Sequence, residues 1–426
     1  MYVSTASDER PRVVMLLENF WYPQDVRVRL EADSLAAAGY DVEVIAPRAP
    51  GQPAVERVGA VRVRRVRVFR PQSDSAIGFL VEYLIALPAL HLHALRTLLS
   101  GARVLHLHNP PDLLFLAGAL YRLAGRSVVF DHHDLFPELV DFKTSSKWLT
   151  KAAGVAERLT YAVANQVLTT NESYAEIARR RGSKQLQQVT VVRNAPPDAW
   201  LERPLNGRTN GADPRRVHLG YLGELSSHDG VGSLIPLLQR LSERGLDAHL
   251  TIIGEGDARP GLERAVADQG LESRVTFTGW VSFEAVPKLL ESVDICVDPA
   301  PSTEYNERST MTKIAEYLSL GRPTVAYALM ETRRTAGDAA VLVPPGDEAG
   351  FTDAVVALAG DPELRRRLSL RARRRCQSLS WSHSEAALIA AYRRVAPAGA
   401  RPESPTREGC SLSQGDSVPR AEIKSS

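Results

Sequence analysis

Short apolar runs alternate with amphipathic segments along most of the chain. Residues 13–17 form one such run, and the amphipathic segment 26–38 that follows it ends before Gly39. Strand, helix and strand in this order are typical of parallel sheets with crossover helices. The pattern continues to about residue 194 and starts again near residue 215. The sequence therefore predicts an α/β fold with two Rossmann-like domains.

The segment 195–214 interrupts the alternation with a high density of Pro, Gly and Asn. We interpret it as a linker between a first domain at 1–194 and a second domain at 215–378. Residues 379–396 are predicted to form a C-terminal helix that packs back toward the first domain. The polar, Pro- and Ser-rich residues 397–426 are predicted to be a disordered tail.

Composition narrows the class of protein. The chain has 426 residues, of which 44% are hydrophobic and 24% charged, which is typical of a globular protein. A formal net charge of +2 gives no reason to expect nucleic acid as a partner. The three cysteines lie far apart, which excludes a disulfide framework and fits a reducing cytosol. With no signal-peptide pattern at its N-terminus, the protein is expected to be cytoplasmic.

The most apolar stretch, residues 76–90, is interrupted by Glu82 and Pro88 and is too short to span a bilayer. Two interpretations of the helix predicted near residues 77–99 stay open. We favour a buried crossover helix. The alternative is an amphipathic helix that makes peripheral contact with the inner face of a membrane.

The segment 301–323 carries the most specific polar pattern. A helix predicted at 310–320 places Ser309, Lys313 and Glu316 on one face. The hydroxyls of Ser309 and Thr310 at a helix N-terminus suit a diphosphate, Lys313 adds positive charge, and Glu316 can accept hydrogen bonds from ribose hydroxyls. The alternative is a surface helix with an N-cap and a Lys–Glu pair.

Two glycine turns shift the balance toward a nucleotide site. Gly223 follows the first predicted strand of the second domain, and Gly254 and Gly256 follow the next strand. Glycines directly after strands let a backbone approach a ligand closely. Because both turns belong to the domain that carries Glu316, we expect that domain to bind a nucleotide.

These motifs resemble a known family. The segments IIGEGD, VTFTGW and KIAEYLSLGRPTVAY resemble the C-terminal domain of family 4 retaining glycosyltransferases with the GT-B fold. LHLHNPPDLL, FDHHDLFPEL and VVRNAPP resemble the N-terminal domain of the same family. The resemblance covers roughly residues 12–395. It implies two domains facing a cleft, a UDP- or GDP-sugar donor held mainly by the C-terminal domain, and a hydroxyl acceptor held mainly by the N-terminal domain. It also implies retention at the anomeric carbon and no metal cofactor.

The resemblance also assigns residues of the second domain. Glu316 matches the second glutamate of the family's paired motif, which holds the ribose. The first glutamate's position is occupied by Arg308, so we expect the neighbouring Glu307 to contact the donor sugar. Where the family has an Arg and a Lys for the phosphates, this chain has Glu224 and Asp229. The positive charge that binds the phosphates is therefore expected from three other sources: Lys313, Arg308 and the N-terminus of the 310–320 helix.

In the first domain, His133 and Asp134 match the family's His–Asp pair, so His133 is expected at the reaction centre with Asp134 beside it. Arg27 and Asn194 are expected on the acceptor side of the cleft. The acceptor itself is not indicated: a polysaccharide intermediate, a lipid-linked sugar and a small natural product all stay open.

Two rival functions also stay open. Six of the ten histidines fall within residues 91–133, which would suit a metal hydrolase, and a strand at 106–108 would put His106 and His108 on one face. No HExxH motif accompanies them, so we rank this function lower. A non-catalytic nucleotide-sugar-binding protein is the other rival, because both phosphate-binding cations of the family are missing.

Overall fold

The first half of the chain folds around an eight-stranded sheet. A computed structural model describes residues 10–68, 76–205 and 215–397; of residues 76–82, 84, 142 and 143 only the backbone is described. The strand order is β3-β4-β2-β1-β5-β6-β7-β8, and β3 alone runs antiparallel to its neighbour. The strands are β1 (Arg12–Leu16), β2 (Asp41–Pro47), β3 (Val55–Val58), β4 (Val61–Val66), β5 (Val104–His108), β6 (Ser127–His132), β7 (Gln166–Thr169) and β8 (Val189–Val191).

The second half folds around a six-stranded parallel sheet in the order β11-β10-β9-β12-β13-β14. Its strands are β9 (Arg216–Leu222), β10 (Asp247–Ile253), β11 (Val275–Gly279), β12 (Ile295–Asp298), β13 (Thr324–Tyr327) and β14 (Val341–Val343). Both sheets place the central strands between earlier and later ones, which is the doubly wound arrangement. The prediction of an α/β fold with two Rossmann-like domains is confirmed.

Helices cover the faces of both sheets. Those of the first half are α1 (Val26–Ala37), α2 (Ala76–Leu99), α3 (Phe115–Leu123), α4 (Phe136–Thr144), α5 (Lys147–Val163), α6 (Glu172–Arg181) and α7 (Asp198–Glu202). Those of the second half are α8 (Leu234–Glu243), α9 (Arg259–Asp268), α10 (Val286–Glu291), α11 (Glu304–Arg308), α12 (Thr312–Ser319), α13 (Met330–Ala336), α14 (Glu348–Gly360) and α15 (Pro362–Gln377), followed by α16 (Trp381–Val395).

The alternation along the β1 strand shows how the first sheet is buried. Val13 and Met15 pack toward α1 and α16 in one apolar cluster, whereas Val14 and Leu16 face the layer that contains α2, α3 and α5. Burial on both faces explains why the strand reads as a continuous apolar run rather than as an alternation. Residues of α16 belong to the first of these clusters, so the last helix packs on the N-terminal sheet.

Several predicted elements differ from the structure. The alternation of Val and Arg from residue 62 to residue 70 predicts a half-exposed strand at a sheet edge, but β4 ends at Val66 and β3 pairs with its outer side. The helix predicted at 310–320 begins at Thr312, because Ser309 ends α11 in an extended conformation and Met311 is also extended. The short elements β3, α4, α7, α11 and α13 were not predicted.

α2 lies where a crossover between β4 and β5 is expected, and Leu90 and Ala94 bury one side of it against the sheet. Among the described residues no helix is both long and apolar enough to cross a membrane. The centre of the predicted linker and the predicted tail from residue 398 onward lie outside the described residues.

Candidate active site

A buried carboxylate, Asp131, organises the carboxyl end of the N-terminal sheet. It ends the apolar run of β6, and its two oxygens accept hydrogen bonds from Arg27 Nη2 at 2.6 Å and Nε at 2.9 Å. His133 Nε2 lies 2.6 Å from Oδ2 of the same carboxylate. Burial opposes ionisation of Asp131, yet the Arg27 guanidinium holds its pKa well below the usual range. An ionised Asp131 is an acceptor only, so His133 Nε2 is the donor of their hydrogen bond.

Arg27 lies beneath the cleft rather than on its surface. Besides Asp131, its guanidinium donates to the carbonyl of Val192 at 2.6 Å and to Asn194 Oδ1 at 2.9 Å, and it lies 3.1 Å from Glu31 Oε1. With its side chain 6% exposed, it is occupied by these partners. In this arrangement a substrate could reach Arg27 only by breaking that network, and the acceptor-side role of Arg27 stays a prediction. Asn194 is half-buried and contacts Arg27 directly.

Asn109 holds the loop that follows β6. Its Oδ1 accepts from the backbone N–H of His133 at 2.6 Å and of Asp134 at 3.3 Å, and its Nδ2 donates to the Asp134 carbonyl at 2.8 Å. The loop therefore presents His133, whose side chain is 12% exposed, in a fixed orientation at the end of the sheet. Asp134 Oδ1 accepts from the Tyr305 hydroxyl of the C-terminal domain at 3.2 Å.

The glycines after β9 and β10 pack against each other. A Cβ on Gly254 would lie 1.9 Å from the Gly223 carbonyl oxygen, and one on Gly256 would lie 2.5 Å from the Leu225 carbonyl oxygen. Positive φ values of 144° and 157° add a conformational reason for glycine at these two positions. Gly254 and Gly256 therefore serve a close approach between two backbones, whereas the sequence suggested an approach to a ligand.

Lys313 is buried between two carboxylates. Its Nζ lies 2.9 Å from Asp229 Oδ1 and 3.6 Å from Asp298 Oδ1, and it donates to the Tyr221 hydroxyl at 3.1 Å. Burial disfavours the charged amine, but Asp298 and Asp229 raise the pKa of Lys313 above its usual value. Asp229, an acid where the family has a cation, is thus the direct partner of Lys313.

Gly223 lies against this lysine. A Cβ on Gly223 would be 2.9 Å from Lys313 Cε and 3.2 Å from Nζ, and its φ is 151°. A side chain at this position would therefore collide with the lysine.

Glu316 projects from α12 as a half-buried carboxylate. Burial raises its pKa to about 7, against a smaller opposing effect of Lys313. In the part of the chain that the structure describes, no side chain or backbone N–H hydrogen-bonds this carboxylate. An acceptor with a raised pKa and open lone pairs is suited to the hydroxyls of a ligand.

Glu307 and Arg308 are turned to other partners. The two oxygens of Glu307 accept from the Ser302 hydroxyl and the Met330 backbone N–H, both at 2.6 Å. Glu307 therefore joins two loops of the C-terminal domain, and a donor sugar would have to share these bonds. The Arg308 guanidinium is part-exposed and pairs with Glu304 at 3.3 Å.

Ser309 and Thr310 contact the other domain. The Tyr174 hydroxyl lies 3.0 Å from Ser309 Oγ, and Asn171 Nδ2 donates to Thr310 Oγ1 and to the Arg308 carbonyl, both at 2.9 Å. The expected diphosphate-binding hydroxyls thus precede the helix and join the two domains across the cleft.

A further hydrogen bond between the two domains lies beside the contacts of Ser309 and Thr310. Ser173 Oγ donates to Glu331 Oε1 at 2.6 Å, which brings the start of α6 against α13. Asn171 and Glu331 were missed by the sequence analysis. For Asn171 the Asn-Glu pattern of a helix start after a strand was an available signal, whereas nothing local marks Glu331.

The histidine-rich region does form a cluster. Suitable atoms of Glu31, His106, His108 and Asp131 all lie within 4.8 Å of one another, and the rings of the two histidines are 4.1 Å apart. The expectation that β5 puts both rings on one face is confirmed. Burial lowers the pKa of His106 and of His108, so both are neutral. Arg27 already supplies positive charge to both carboxylates of the cluster.

The family model described as "Glycosyl transferase 4-like domain" matches residues 24–195, and "Glycosyl transferases group 1" matches residues 216–361. The chain belongs to the family 4 (group 1) glycosyltransferases. Within the family its match to alpha-D-kanosaminyltransferase of Streptomyces kanamyceticus is 28% identical over 63% of this chain and 71% of that protein.

Two further similarities cover more of this glycosyltransferase. It is 27% identical to the GDP-mannose-dependent alpha-(1-6)-phosphatidylinositol dimannoside mannosyltransferase of Mycobacterium tuberculosis, over 88% of this chain and 95% of that protein. Its fold is similar to that of sucrose-phosphate synthase from Thermosynechococcus elongatus, with a TM-score of 0.70 and 20% identity over 90% of this chain and 99% of that one.

The fold is also shared with Anabaena Alr3699/HepE, solved in complex with UDP and glucose, with a TM-score of 0.63 and 15% identity over 90% and 98% of the two chains. The GT-B fold implied by the sequence motifs is confirmed, and so is the assignment of the chain as a glycosyltransferase.

Proposed function

We propose that this glycosyltransferase moves a sugar from a nucleoside-diphosphate sugar to a hydroxyl acceptor with retention of configuration at the anomeric carbon. The observation that carries the proposal is the open carboxylate of Glu316. It is half-buried, has a pKa raised to about 7, and occupies the position of the ribose-binding glutamate of the family. Vicinal ribose hydroxyls would satisfy both of its oxygens.

The proposed donor is a UDP- or GDP-sugar. A named relative is GDP-mannose-dependent, and a protein of the same fold was solved with UDP-glucose. Lys313 is the main cation proposed to bind the diphosphate. The diphosphate would approach it past Gly223, because a Cβ at that position would lie only 3.2 Å from Nζ. Binding would then shift Lys313 from Asp229 toward a phosphate oxygen, which exchanges one anionic partner for another. Arg308, part-exposed, supplies further positive charge near the cleft.

In this proposal the protein supplies no nucleophile, and groups at the cleft assist the transfer. In the retaining reaction proposed, the acceptor attacks the face from which the diphosphate leaves, and a phosphate oxygen takes the acceptor's proton. The role of the protein is to stabilise the charge that develops on that phosphate. His133 suits this role, because Asp131 fixes its Nε2 by a hydrogen bond, while Nδ1 has no partner among the described residues.

We propose that the reaction needs no metal. The positive charge beneath the site comes from Arg27, which neutralises Asp131, and the charge at the donor comes from Lys313. Transfer activity unchanged by EDTA would support this proposal.

The acceptor is a hydroxyl on a lipid-linked sugar, a polysaccharide intermediate or a natural product. Relatives are named for both lipid and aminoglycoside acceptors: one is a phosphatidyl-myo-inositol mannosyltransferase and another a 2-deoxystreptamine N-acetyl-D-glucosaminyltransferase. A cytoplasmic location stays a prediction.

The test measures donor binding by calorimetry for UDP, GDP and their sugars, with the Glu316→Gln variant. Loss of the charge should weaken binding of the preferred nucleotide by roughly 10- to 100-fold, because hydrogen bonds to a charged group contribute about 1.5–3 kcal/mol. Glu272→Gln, at an exposed side chain of the C-terminal domain, is the control and should bind like the unchanged protein. Equal affinity of both variants would contradict the ribose assignment.

The anomeric configuration of the product, read by NMR, tests retention.

A further inference from the structure

The outer layer of helices on the N-terminal domain exposes an unusual amount of apolar surface. Seventeen large apolar side chains are exposed in the described part of the chain, and ten of these lie on α2, α3 and α5. On α2 they are Ile85, Leu92, Leu95 and Leu99, which recur at helical spacing along one face. Leu90 and Ala94 of the same helix are buried against the sheet, so the exposed row is a second apolar face.

The neighbouring helices continue this face. α3 packs between α2 and α5, and α3 and α5 lie in connections between strands that are adjacent in the sheet. Leu116, Leu120 and Leu123 are exposed on α3 at spacings of four and three, and Leu123 is 86% exposed. On α5 the exposed residues are Trp148, Val155 and Leu159, with Trp148 at 73%. Exposed apolar area that spans three adjacent helices is typical of an interaction surface.

The exposed charged side chains that the structure describes on these helices have one sign. The exposed charged side chains of α2, α3 and α5 are, among those described, Arg96, Arg122, Lys147, Lys151 and Arg158. Glu157 of α5 is buried and pairs with Arg181, so it does not offset them. The outer face of α2, α3 and α5 therefore combines exposed apolar side chains with positive charge.

From this combination we infer that the outer face of α2, α3 and α5 docks on an anionic lipid bilayer. Apolar side chains that insert at the interface, with Lys and Arg among them, fit a surface with an apolar interior and anionic headgroups. Two copies of this chain do not fit as well, because their docking would bring five exposed cations of each face together. α3 and α5 start at the carboxyl end of the sheet, so the docked surface borders the cleft.

The experiment is flotation of the full-length protein with vesicles of phosphatidylcholine alone and with added phosphatidylglycerol. We expect binding only to the anionic vesicles, weakened by salt. Trp148→Ser should lower the partition coefficient roughly tenfold. Trp280→Ser is the matched control, because Trp280 is 72% exposed on the C-terminal domain, and it should bind like the unchanged protein.

Charge is tested separately. Reversal of Lys147, Lys151 and Arg158 to Glu should lower partitioning at least about a hundredfold, since each basic group near an anionic surface contributes about fivefold. Reversal of Lys288, Arg367 and Arg374, exposed on the C-terminal domain, changes the net charge equally and should have little effect. Absence of binding to anionic vesicles would overturn the inference. So would equal loss in both sets of variants, or a dimer in sedimentation that Trp148→Ser converts to a monomer.

Discussion

Glu316 and Lys313 lie one turn apart on α12 and differ in the partners that their side chains contact. Lys313 is held between Asp229 and Asp298, whereas the described residues leave the Glu316 carboxylate open. Burial raises the pKa of Glu316 to about 7, and the acids raise that of Lys313. The lysine is therefore charged at every physiological pH, whereas the glutamate titrates near neutrality. Donor binding should accordingly respond to pH through Glu316.

Donor affinity should rise with pH between about 6 and 8. A carboxylate accepts hydrogen bonds from hydroxyls more strongly than a carboxylic acid does, and this group ionises near 7. Nucleotide binding followed by calorimetry across this range should strengthen severalfold, and in Glu316→Gln the dependence should be lost. A pH profile that is the same in both proteins would contradict the assignment.

The effect of Glu316 on stability has the opposite sign. Its folded pKa is raised above the unfolded value of about 4.3, so the folded state binds more protons between these two values. Its contribution therefore falls as pH rises from about 4.3 to 7. The same ionisation that favours donor binding thus weakens the unliganded fold.

At the scale of elements, the turns after β9 and β10 form one unit. The Gly223 N–H donates to the Ile253 carbonyl at 3.0 Å, and the Leu225 N–H donates to the Glu255 carbonyl at 2.9 Å. This spacing leaves no room for side chains between the two backbones. The shape of the donor side of the cleft therefore depends on glycines that need not touch the donor.

Gly254→Ala should destabilise the protein by about 2 kcal/mol or more. Its Cβ would lie 1.9 Å from a backbone oxygen, and the φ of 144° is unfavourable for alanine. Chemical denaturation measures the loss of free energy. Gly232→Ala is the control, because a Cβ there meets nothing within 4 Å and the change should stay within about 0.5 kcal/mol. A similar loss of unfolding free energy in the two variants would show that the backbone of the turns can shift to accommodate the Cβ.

Elements were more predictable from the sequence than their contacts. The run of apolar residues 13–17 lies within one residue of β1, because burial on both faces leaves a local signature. The start of α12 was placed two residues early, since nothing local shows that Ser309 caps another helix. The Asn171–Thr310 bond joins residues 139 positions apart, so it depends on how the domains meet. No local pattern shows that Arg27 is buried, because its partner Asp131 lies 104 positions away.

At the scale of the whole molecule, the two domains meet through the start of α6. The C-terminal domain is hydrogen-bonded there by Asn171, Ser173 and Tyr174. In addition, the hydroxyl of Tyr305 in the C-terminal domain donates to Asp134 in the N-terminal domain. Tyr305 also packs against Leu135, Tyr174 and Ile177. Contacts of this kind between two domains of one chain leave relative domain motion possible. Domain closure over a donor is then an equilibrium that substitutions here can shift.

Asn171→Asp should favour a more open molecule. The Asn171 side-chain oxygen caps α6 by accepting from the Tyr174 N–H at 2.7 Å, and aspartate preserves this cap. The Nδ2 bonds to the Arg308 carbonyl and Thr310 are lost, and a carboxylate is placed against a carbonyl oxygen. Small-angle X-ray scattering should show an increased radius of gyration.

Glu176→Gln, exposed on the same helix, is the control and should leave the radius unchanged. A compact Asn171→Asp variant with normal donor affinity would show that these bonds do not set the domain arrangement.

The return of α16 to the N-terminal sheet has a consequence for synthesis on the ribosome. Trp381, Leu388 and Tyr392 belong to the same apolar cluster as Val13 and Met15. The domain translated first therefore lacks part of its core until the domain translated second has already emerged. During that interval the face of the first sheet that α16 will cover is exposed, so a chain halted before residue 381 should depend on chaperones more than its length suggests.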